Sequence, residues 1–241
     1  MNKIEVCLTL ENYPNFKNPN AAVIVVDVLR ATSSICAAFV NGVNQIVPVP
    51  DFADALAYKE KGFLVASEKD GVKRPEADFG NSPQNFSAEN ISGRNLVYCT
   101  TNGTRAIHAA TESKGVAIGS FLNLTAVTEW AMDKNCDILV LCSGWKGKFN
   151  IEDTLFAGAV CELALKNPNY STICDSALAA IDLWDIAKNN VPEYIKKVAQ
   201  YTRLNKNGNG DSIPYCIEID TTKEVPIFDG RTIRAATKNN I

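Results

Sequence analysis

The sequence predicts a three-layer α/β/α sandwich built on a largely parallel, mixed sheet, and two observations support this fold class. Segments with strand and helix signals alternate through the first two-thirds of the 241 residues, as expected for β–α units around a parallel sheet. The apolar run at residues 21–26 is rich in valine and lacks period-two alternation. That pattern is typical of a strand buried on both faces of such a sheet.

Glycine and capping residues mark the ends of the predicted elements. A helix from residue 32 ends at Gly42, and Asp51 caps a helix that ends at Gly62. The predicted strands of this part cover residues 4–10, 21–26, 45–49, 63–66, 95–99, 116–119 and 137–142. The predicted helices cover residues 32–41, 51–61, 104–113, 125–134 and 151–165. Residues 69–86 are rich in turn-forming residues and are predicted to form loops.

The last third of the chain has a different pattern. Residues 175–188 and 193–203 predict helices, and residues 213–219 and 225–228 predict strands. We expect these two strands to extend the sheet at its edge. No internal repeat, low-complexity tract or linker divides the sequence, so we predict a single domain over residues 1–241.

Composition excludes several classes of protein. The net charge is −3 and no basic cluster occurs, which argues against a nucleic-acid partner. The apolar runs are too short to span a membrane and no signal peptide opens the sequence, so we expect a cytoplasmic protein with no membrane partner. Eight cysteines without a Cys-x-x-Cys motif predict buried, reduced thiols. The single histidine, His108, argues against a histidine-based metal site. A homodimer is expected only as the commonest oligomer.

Polar residues follow the predicted parallel strands at the ends where such sheets bind ligands. Asp27 and Arg30 follow the second strand, and Glu68 follows the strand at 63–66. The other candidates are Asn81, Ser82, Thr101, Asn102, Gly103, Thr104, Arg105, Ser143, Gly144, Glu152 and Asp153. We expect these side chains to converge at one rim of the sheet.

The residue types at this rim favour a metal beside an anion. Carboxylates without histidine suit a hard cation, so we predict that Asp27, Glu68 and Glu152, or Asp153 in place of Glu152, bind Mg²⁺. Arg30 and Arg105 suit an anion next to that metal. Metal and arginines around an anion are the arrangement for phosphoryl chemistry. The turn before Arg105 also allows a purely structural interpretation, in which it caps a helix and binds no anion.

Four motifs, in order, resemble those of the 2-phosphosulfolactate phosphatase (ComB-like) family. They are Val26-Asp27-Val28-Leu29-Arg30-Ala31-Thr32, Gly80-Asn81-Ser82-Pro83, Thr100-Thr101-Asn102-Gly103-Thr104-Arg105-Ala106, and Ser143-Gly144 followed by Glu152-Asp153-Thr154 and Ala157-Gly158. The resemblance implies an α/β/α phosphatase that uses Mg²⁺ to hydrolyse 2-phosphosulfolactate to 3-sulfolactate and phosphate, a step in coenzyme M biosynthesis. The substrate would then be a small, anionic, phosphorylated sulfonate.

The motifs assign a role to each candidate. Catalytic roles are predicted for Asp27, Arg30, Arg105 and Asp153, with Asp153 orienting the attacking water. Substrate binding is predicted for Thr32, Asn81, Ser82, Thr101, Asn102, Gly103, Thr104, Ser143 and Gly144. Trp145 either forms a wall of the site or packs beneath its loop. Direct attack by water and a phosphoenzyme intermediate both remain open.

Three alternative functions are considered. Cys99 and Arg105 have the Cys-x5-Arg spacing of cysteine phosphatases. Asp27 could be the nucleophile of a haloacid-dehalogenase-type phosphatase, although that class places a second acid where Leu29 stands. The third alternative is a non-catalytic binder of small anionic metabolites, which the cluster of carboxylates argues against because acids repel anions.

Overall fold

The computed structural model describes residues 1–236, and within them eleven strands form one mixed sheet. The strands are β1 (Asn2–Cys7), β2 (Ala22–Val26), β3 (Gln45–Pro48), β4 (Leu64–Lys69), β5 (Val72–Lys73), β6 (Asn95–Cys99), β7 (Gly115–Gly119), β8 (Ile138–Cys142), β9 (Tyr170–Ser171), β10 (Pro226–Phe228) and β11 (Ile233–Ala235). Their order across the sheet is β5-β4-β6-β3-β11-β10-β7-β2-β8-β1-β9.

Helices connect most of the strands. They are α1 (Ala31–Val40), α2 (Phe52–Lys59), α3 (Ala88–Ile91), α4 (Gly103–Ala109), α5 (Leu124–Asp133), α6 (Ile151–Ala164), α7 (Asp175–Ala187), α8 (Val191–Ile195), α9 (Ala199–Lys206) and α10 (Ile213–Cys216). Short 3-10 turns occur at four further places.

The sheet consists of two parallel groups joined by an antiparallel hairpin. Strands β4, β6 and β3 are parallel, as are β7, β2, β8, β1 and β9. The hairpin β10–β11 lies between the groups and pairs antiparallel with β7 on one side and β3 on the other. The predicted fold class, a largely parallel mixed sheet flanked by helices, is confirmed.

The central strand β2 shows why the sheet forms the middle layer. Its side chains alternate between two apolar clusters: Ala22, Ile24 and Val26 pack with α5, α6 and α7, whereas Val23 and Val25 pack with α1 and α4. All five residues are fully buried. A strand covered by helices on both faces needs apolar side chains at every position, which is the pattern that the sequence shows.

The prediction for the end of the chain was wrong in two respects. Residues 213–219 do not form a strand, because Pro214 stands in the first turn of α10, where its missing N–H costs nothing. The predicted strand at 225–228 does form, as β10, but it lies inside the sheet rather than at its edge. Asp229 closes the turn to β11 by accepting hydrogen bonds from the backbone N–H groups of Arg231 and Thr232.

Two smaller differences affect the site. The predicted helix at 193–203 is divided into α8 and α9, with Val198 in an extended conformation between them. Strand β4 continues to Lys69, so Glu68 lies within the strand and pairs with Lys73 of β5. The prediction of a single domain over residues 1–241 remains a prediction, because residues 237–241 lie outside the described part.

Close packing of α6 against α7 requires a glycine and allows a stability test. A Cβ atom at Gly158 would lie 2.8 Å from the Cβ of Trp184 and closer still to the carbonyl of Ala180. We expect Gly158→Ala to lower the free energy of unfolding by roughly 2 kcal/mol or more, because the helices would have to separate. Urea denaturation measures this. Asp182→Ala, at an exposed position of α7, is the control and should have little effect; equal stability of both variants would contradict the packing argument.

Candidate active site

A cavity opens at the carboxyl ends of the parallel strands β2, β4, β6 and β8. It encloses about 390 Å³ of space, including its open mouth. Six predicted site residues line it: Asp27, Arg30, Glu68, Asn81, Asn102 and Gly144. Trp145 also forms part of the wall. Residues from four separate strand ends therefore meet in one cavity, as the sequence predicted.

Asp27 lies at the end of β2, where the loop to α1 is closed by hydrogen bonds. Its Oδ1 accepts a hydrogen bond from the N–H of Ala31 (3.3 Å), and its own N–H donates to Thr32 Oγ1 (3.0 Å). Thr32 is fully buried and does not line the cavity. The structure thus shows Thr32 fixing the loop that presents Asp27, rather than facing the predicted substrate.

Gly103 permits the start of α4 to approach Asp27. A Cβ atom at this position would lie 2.7 Å from the Cβ of Ala31 and 3.1 Å from Asp27 Oδ2. Thr104 is held in the same turn, since its hydroxyl donates to the carbonyl of Thr100 (3.1 Å). Neither Gly103 nor Thr104 lines the cavity. Both shape the turn that surrounds Asp27.

Arg30 is buried and faces the cavity. Its Nη1 donates to Asn209 Oδ1 (3.2 Å) and to Ser212 Oγ (3.1 Å), which are neutral partners. Among residues 1–236 no carboxylate lies within salt-bridge distance of this guanidinium. Burial lowers the pKa of Arg30 from its ordinary value, yet arginine keeps its charge in proteins. A buried cation without an anionic partner is suited to binding an anionic ligand.

Glu68 is held rigidly at the other side of the cavity. Its Oε1 accepts hydrogen bonds from the N–H (2.8 Å) and the hydroxyl (2.9 Å) of Thr101, and its Oε2 accepts one from the N–H of Gly71 (2.6 Å). Thr101 does not line the cavity. Its observed role is to orient Glu68.

Two predicted asparagines line the cavity, whereas the predicted serine Ser82 does not. Asn81 and Asn102 line the cavity, and the Tyr98 hydroxyl donates a hydrogen bond to Asn81 Oδ1. The Ser82 hydroxyl instead donates to Gln84 and does not reach the cavity wall. The side-chain amides of the two asparagines are therefore available in the cavity, and the Ser82 hydroxyl is not.

Three buried carboxylates, Asp27, Glu152 and Asp153, have raised pKa values. Burial, and secondarily the charge of Glu68, raises the pKa of Asp27 from 3.8 to about 7. Burial, and secondarily the charge of Asp27, raises the pKa of Glu152 from 4.5 to about 7. The pKa of Asp153 is raised by burial and by the charges of Asp27 and Glu152. Such a cluster is stable in its ionised form only with a compensating cation.

Glu152 and Asp153, in the first turn of α6, lie behind the cavity wall. Asp153 accepts hydrogen bonds from the N–H groups of Val28 (2.8 Å) and Gly144 (3.4 Å), and so ties two loops of the cavity together. Gly144 has φ +63°, and a Cβ there would lie 2.7 Å from the carbonyl oxygen of Lys148. The geometry gives Asp153 a positioning role and offers no support for the predicted contact with an attacking water.

The donor groups of the cavity fit a magnesium ion in part. No three His, Cys, Asp or Glu side chains of the described chain converge as a metal site, so the predicted set of Asp27, Glu68 and Glu152 is not assembled as such. Asp27 and Glu68 do share the cavity, and Asn150 Oδ1 at its wall is buried without a hydrogen-bond partner. Mg²⁺ is commonly bound by one or two carboxylates, waters and substrate phosphate. Two carboxylates and one free amide oxygen meet that requirement.

Arg105 lies apart from these residues. Its side chain is exposed on α4 and does not line the cavity. Cys99 is buried, its thiol faces the carbonyl of Pro50 (3.8 Å), and burial raises its pKa. A nucleophilic cysteine needs a lowered pKa, so the geometry does not favour the cysteine-phosphatase alternative. Leu29 lines the cavity where a haloacid dehalogenase would place its second acid.

Sequence reasoning missed the contribution of the last third of the chain. Gln200 and Leu204 of α9 line the cavity, and Asn209 binds Arg30. Gln200 Nε2 donates to the carbonyl of Leu29 (2.9 Å), which attaches α9 to the loop that carries Arg30. These residues carry no local motif. Only Asn150, directly before a predicted helix beginning with two acids, had a position that could have drawn attention.

Comparison with known proteins agrees with this geometry. The family model described as 2-phosphosulpholactate phosphatase matches residues 7–231. The chain belongs to this family.

Individual relatives extend over nearly the same length. A protein of Clostridium novyi (strain NT) named "Probable 2-phosphosulfolactate phosphatase" is 32% identical over 94% of this chain and 97% of its own length. Proteins with the same name from Thermotoga petrophila (37% identical) and Prochlorococcus marinus (36% identical) each cover 84% of this chain and 87% of their own. The predicted family, and its enzyme class of phosphoric monoester hydrolases, are confirmed. No helix within residues 1–236 has the length and apolar character needed to cross a membrane.

The raised pKa of Asp27 predicts how stability depends on pH without divalent cations. The folded state holds this proton more tightly than the unfolded chain, since the folded pKa of about 7 exceeds the ordinary 3.8. The free energy of unfolding should therefore fall as pH rises from about 4 to about 7, by an amount on the order of a few kcal/mol. Asp27→Asn should flatten this dependence, and Asp182→Asn should not. Denaturation in EDTA at several pH values measures it; a pH profile unchanged by Asp27→Asn would contradict the argument.

The two predicted arginines should behave differently when substituted. Arg30→Gln removes a buried charge that faces the cavity, so inhibition by inorganic phosphate should weaken at least about tenfold, as expected for losing a charge-assisted hydrogen bond. Arg105→Gln should change this inhibition less than about twofold, because its side chain is exposed outside the cavity. Arg30→Lys provides a second test if the glutamine variant folds poorly. An equal effect of both arginines would place Arg105 in the site after all.

Proposed function

We propose that the chain is a Mg²⁺-dependent phosphatase that hydrolyses 2-phosphosulfolactate to 3-sulfolactate and phosphate. The observation that carries the proposal is the buried guanidinium of Arg30, which has no carboxylate of residues 1–236 within salt-bridge distance and shares a cavity with Asp27 and Glu68. An anion receptor next to a potential cation site fits phosphoryl transfer. The relatives' names support the substrate.

Each side chain would have a defined task. Arg30 would bind the phosphate and neutralise charge that develops on its oxygens. Asp27 and Glu68, with the free oxygen of Asn150, would hold Mg²⁺, and this ion would act as a Lewis acid on the phosphoryl group. Asn81 and Asn102 offer amide donors for the remaining substrate oxygens.

Several structural features would support these groups without touching the reacting atoms. The apolar side chains Leu29 and Leu204 form part of the cavity wall and limit access of water. Thr101 orients Glu68, and Asp153 holds the loops at Val28 and Gly144. A site held by such hydrogen bonds keeps its geometry before the substrate arrives.

Three further parts of the proposal do not depend on the geometry of the cavity. A role in coenzyme M biosynthesis follows from the product, 3-sulfolactate. The cytoplasmic location and the homodimer stay predictions. The choice between direct hydrolysis and a phosphoenzyme also stays open.

Phosphate release tests the proposal directly. The wild-type protein should release phosphate from 2-phosphosulfolactate with Mg²⁺ and lose this activity in EDTA. Asp27→Asn should lower kcat by roughly 100-fold or more, as expected when charge stabilisation at the reacting group is lost. It should also abolish the rise in Tm that Mg²⁺ produces at pH 8 in the wild type, because the ion offsets buried negative charge.

Cys99→Ser is the matched control for the alternative mechanism. Its thiol is buried outside the cavity, so activity should remain within about threefold of wild type. Activity that survives EDTA but is lost in Cys99→Ser would replace the magnesium mechanism by a cysteine mechanism. Tight substrate binding without phosphate release would favour the non-catalytic alternative.

A further inference from the structure

A second guanidinium contacts two residues of the cavity wall, Trp145 and Gln200. Arg203, on α9, is partly buried, and its Cζ lies 4.6 Å from the centroid of the Trp145 ring. Trp145 itself lines the cavity. A guanidinium at this distance from an aromatic face is attracted to the ring, so Trp145 holds Arg203 next to the cavity wall.

One hydrogen bond sets the direction of this side chain. Arg203 Nε donates to Gln200 Oε1 (2.6 Å), and Gln200 in turn donates to the carbonyl of Leu29 (2.9 Å). Arg203 is therefore connected through a buried glutamine to the loop that carries Arg30. The guanidinium still has further N–H donors that can bind an oxyanion.

Arg203 forms no salt bridge within the described part of the chain. No carboxylate among residues 1–236 is within salt-bridge distance of it. Glu152 interacts with Arg203 only at longer range. The neighbouring cation Lys146 differs in this respect, because Asp70 pairs with it at 2.7 Å. Of the two cations next to Trp145, Arg203 is the one available to a ligand.

We propose that Arg203 is a specificity-determining residue that binds the sulfonate of the substrate while Arg30 binds the phosphate. The inference rests on the proposed function. In 2-phosphosulfolactate the phosphate and the carboxylate are attached to one carbon, and the sulfonate is attached through the next. Arg30 lines the cavity and Arg203 lies beside the lining residue Trp145, so the anionic group farthest from phosphorus is the one that Arg203 would meet. The Trp145 ring would pack against the intervening methylene group.

Removal of the charge tests this role with two substrates. Arg203→Met keeps an apolar stem against Trp145 and removes the guanidinium. It should lower kcat/KM for 2-phosphosulfolactate about tenfold or more, mainly through KM, since a charge-assisted hydrogen bond is lost. For 2-phospholactate, which has a methyl group in place of the sulfonate-bearing carbon, the change should be less than about threefold. Arg203→Lys should retain part of the discrimination between the substrates.

Arg94→Gln is the control for a general effect of charge. Arg94 is exposed and directly precedes β6, whereas the cavity lies at the opposite end of that strand. This variant should not discriminate between the substrates. An equal loss with both substrates in Arg203→Met, or no loss with either, would overturn the proposal. If the methionine variant does not fold, as judged by circular dichroism, wild-type discrimination by the uncharged variant Arg203→Gln overturns it as well.

A binding measurement separates this proposal from the proposed function. Calorimetry should show that the wild type binds 3-sulfolactate at least about tenfold more tightly than lactate, and that Arg203→Met removes the difference. A wild type that releases no phosphate from either substrate would reject the phosphatase proposal, and the calorimetry would still decide the role of Arg203. Equal affinity of the wild type for 3-sulfolactate and lactate would reject the sulfonate role.

Discussion

A cluster of buried carboxylates at the end of β2 is the constraint on which the rest of the site depends. Asp27, Glu152 and Asp153 lie close together in protein surroundings, and burial raises the pKa of each. Keeping these groups ionised costs free energy unless a cation is near. Hydrogen-bond donors from the segments after β2, β6 and β8 surround these acids. Such an arrangement is typical of a site that binds charged ligands.

The hydrogen bonds around the acids divide the predicted residues into two groups. Arg30, Asn81 and Asn102 face the cavity together with the carboxylates of Asp27 and Glu68. Thr101 and Asp153 act on the cavity through others, by orienting Glu68 and by joining two loops. Residues of a functional motif therefore need not touch a ligand. A residue that only orients a ligand-binding group also needs a fixed position in the motif.

The fold was largely predictable where local pattern and tertiary environment agree. Strand β2 has apolar residues at every position because helices cover both faces, and Gly42 ends α1 because a left-handed conformation (φ +82°) is needed there. The prediction was wrong where contacts with distant segments determine the secondary structure or the position of a strand in the sheet. The three-residue strand β10 has no periodicity of its own, and its central place depends on the gap between β7 and β3. Pro214 marked a helix start but stood in an apolar run that also suits a strand.

The sequence by itself determined the layered fold, the family and the strand ends at which the acids, Arg30 and the asparagines would meet, because parallel strands place their carboxyl ends at one edge. Tertiary structure alone decided which side chains face the cavity. It placed Arg105 in solvent, brought Gln200 from α9 to the wall, and set Arg203 of the same helix against Trp145. Helix α9 is more than a hundred residues away in sequence from the loop that it contacts. Its orientation depends on packing between these distant segments, and no local pattern encodes it.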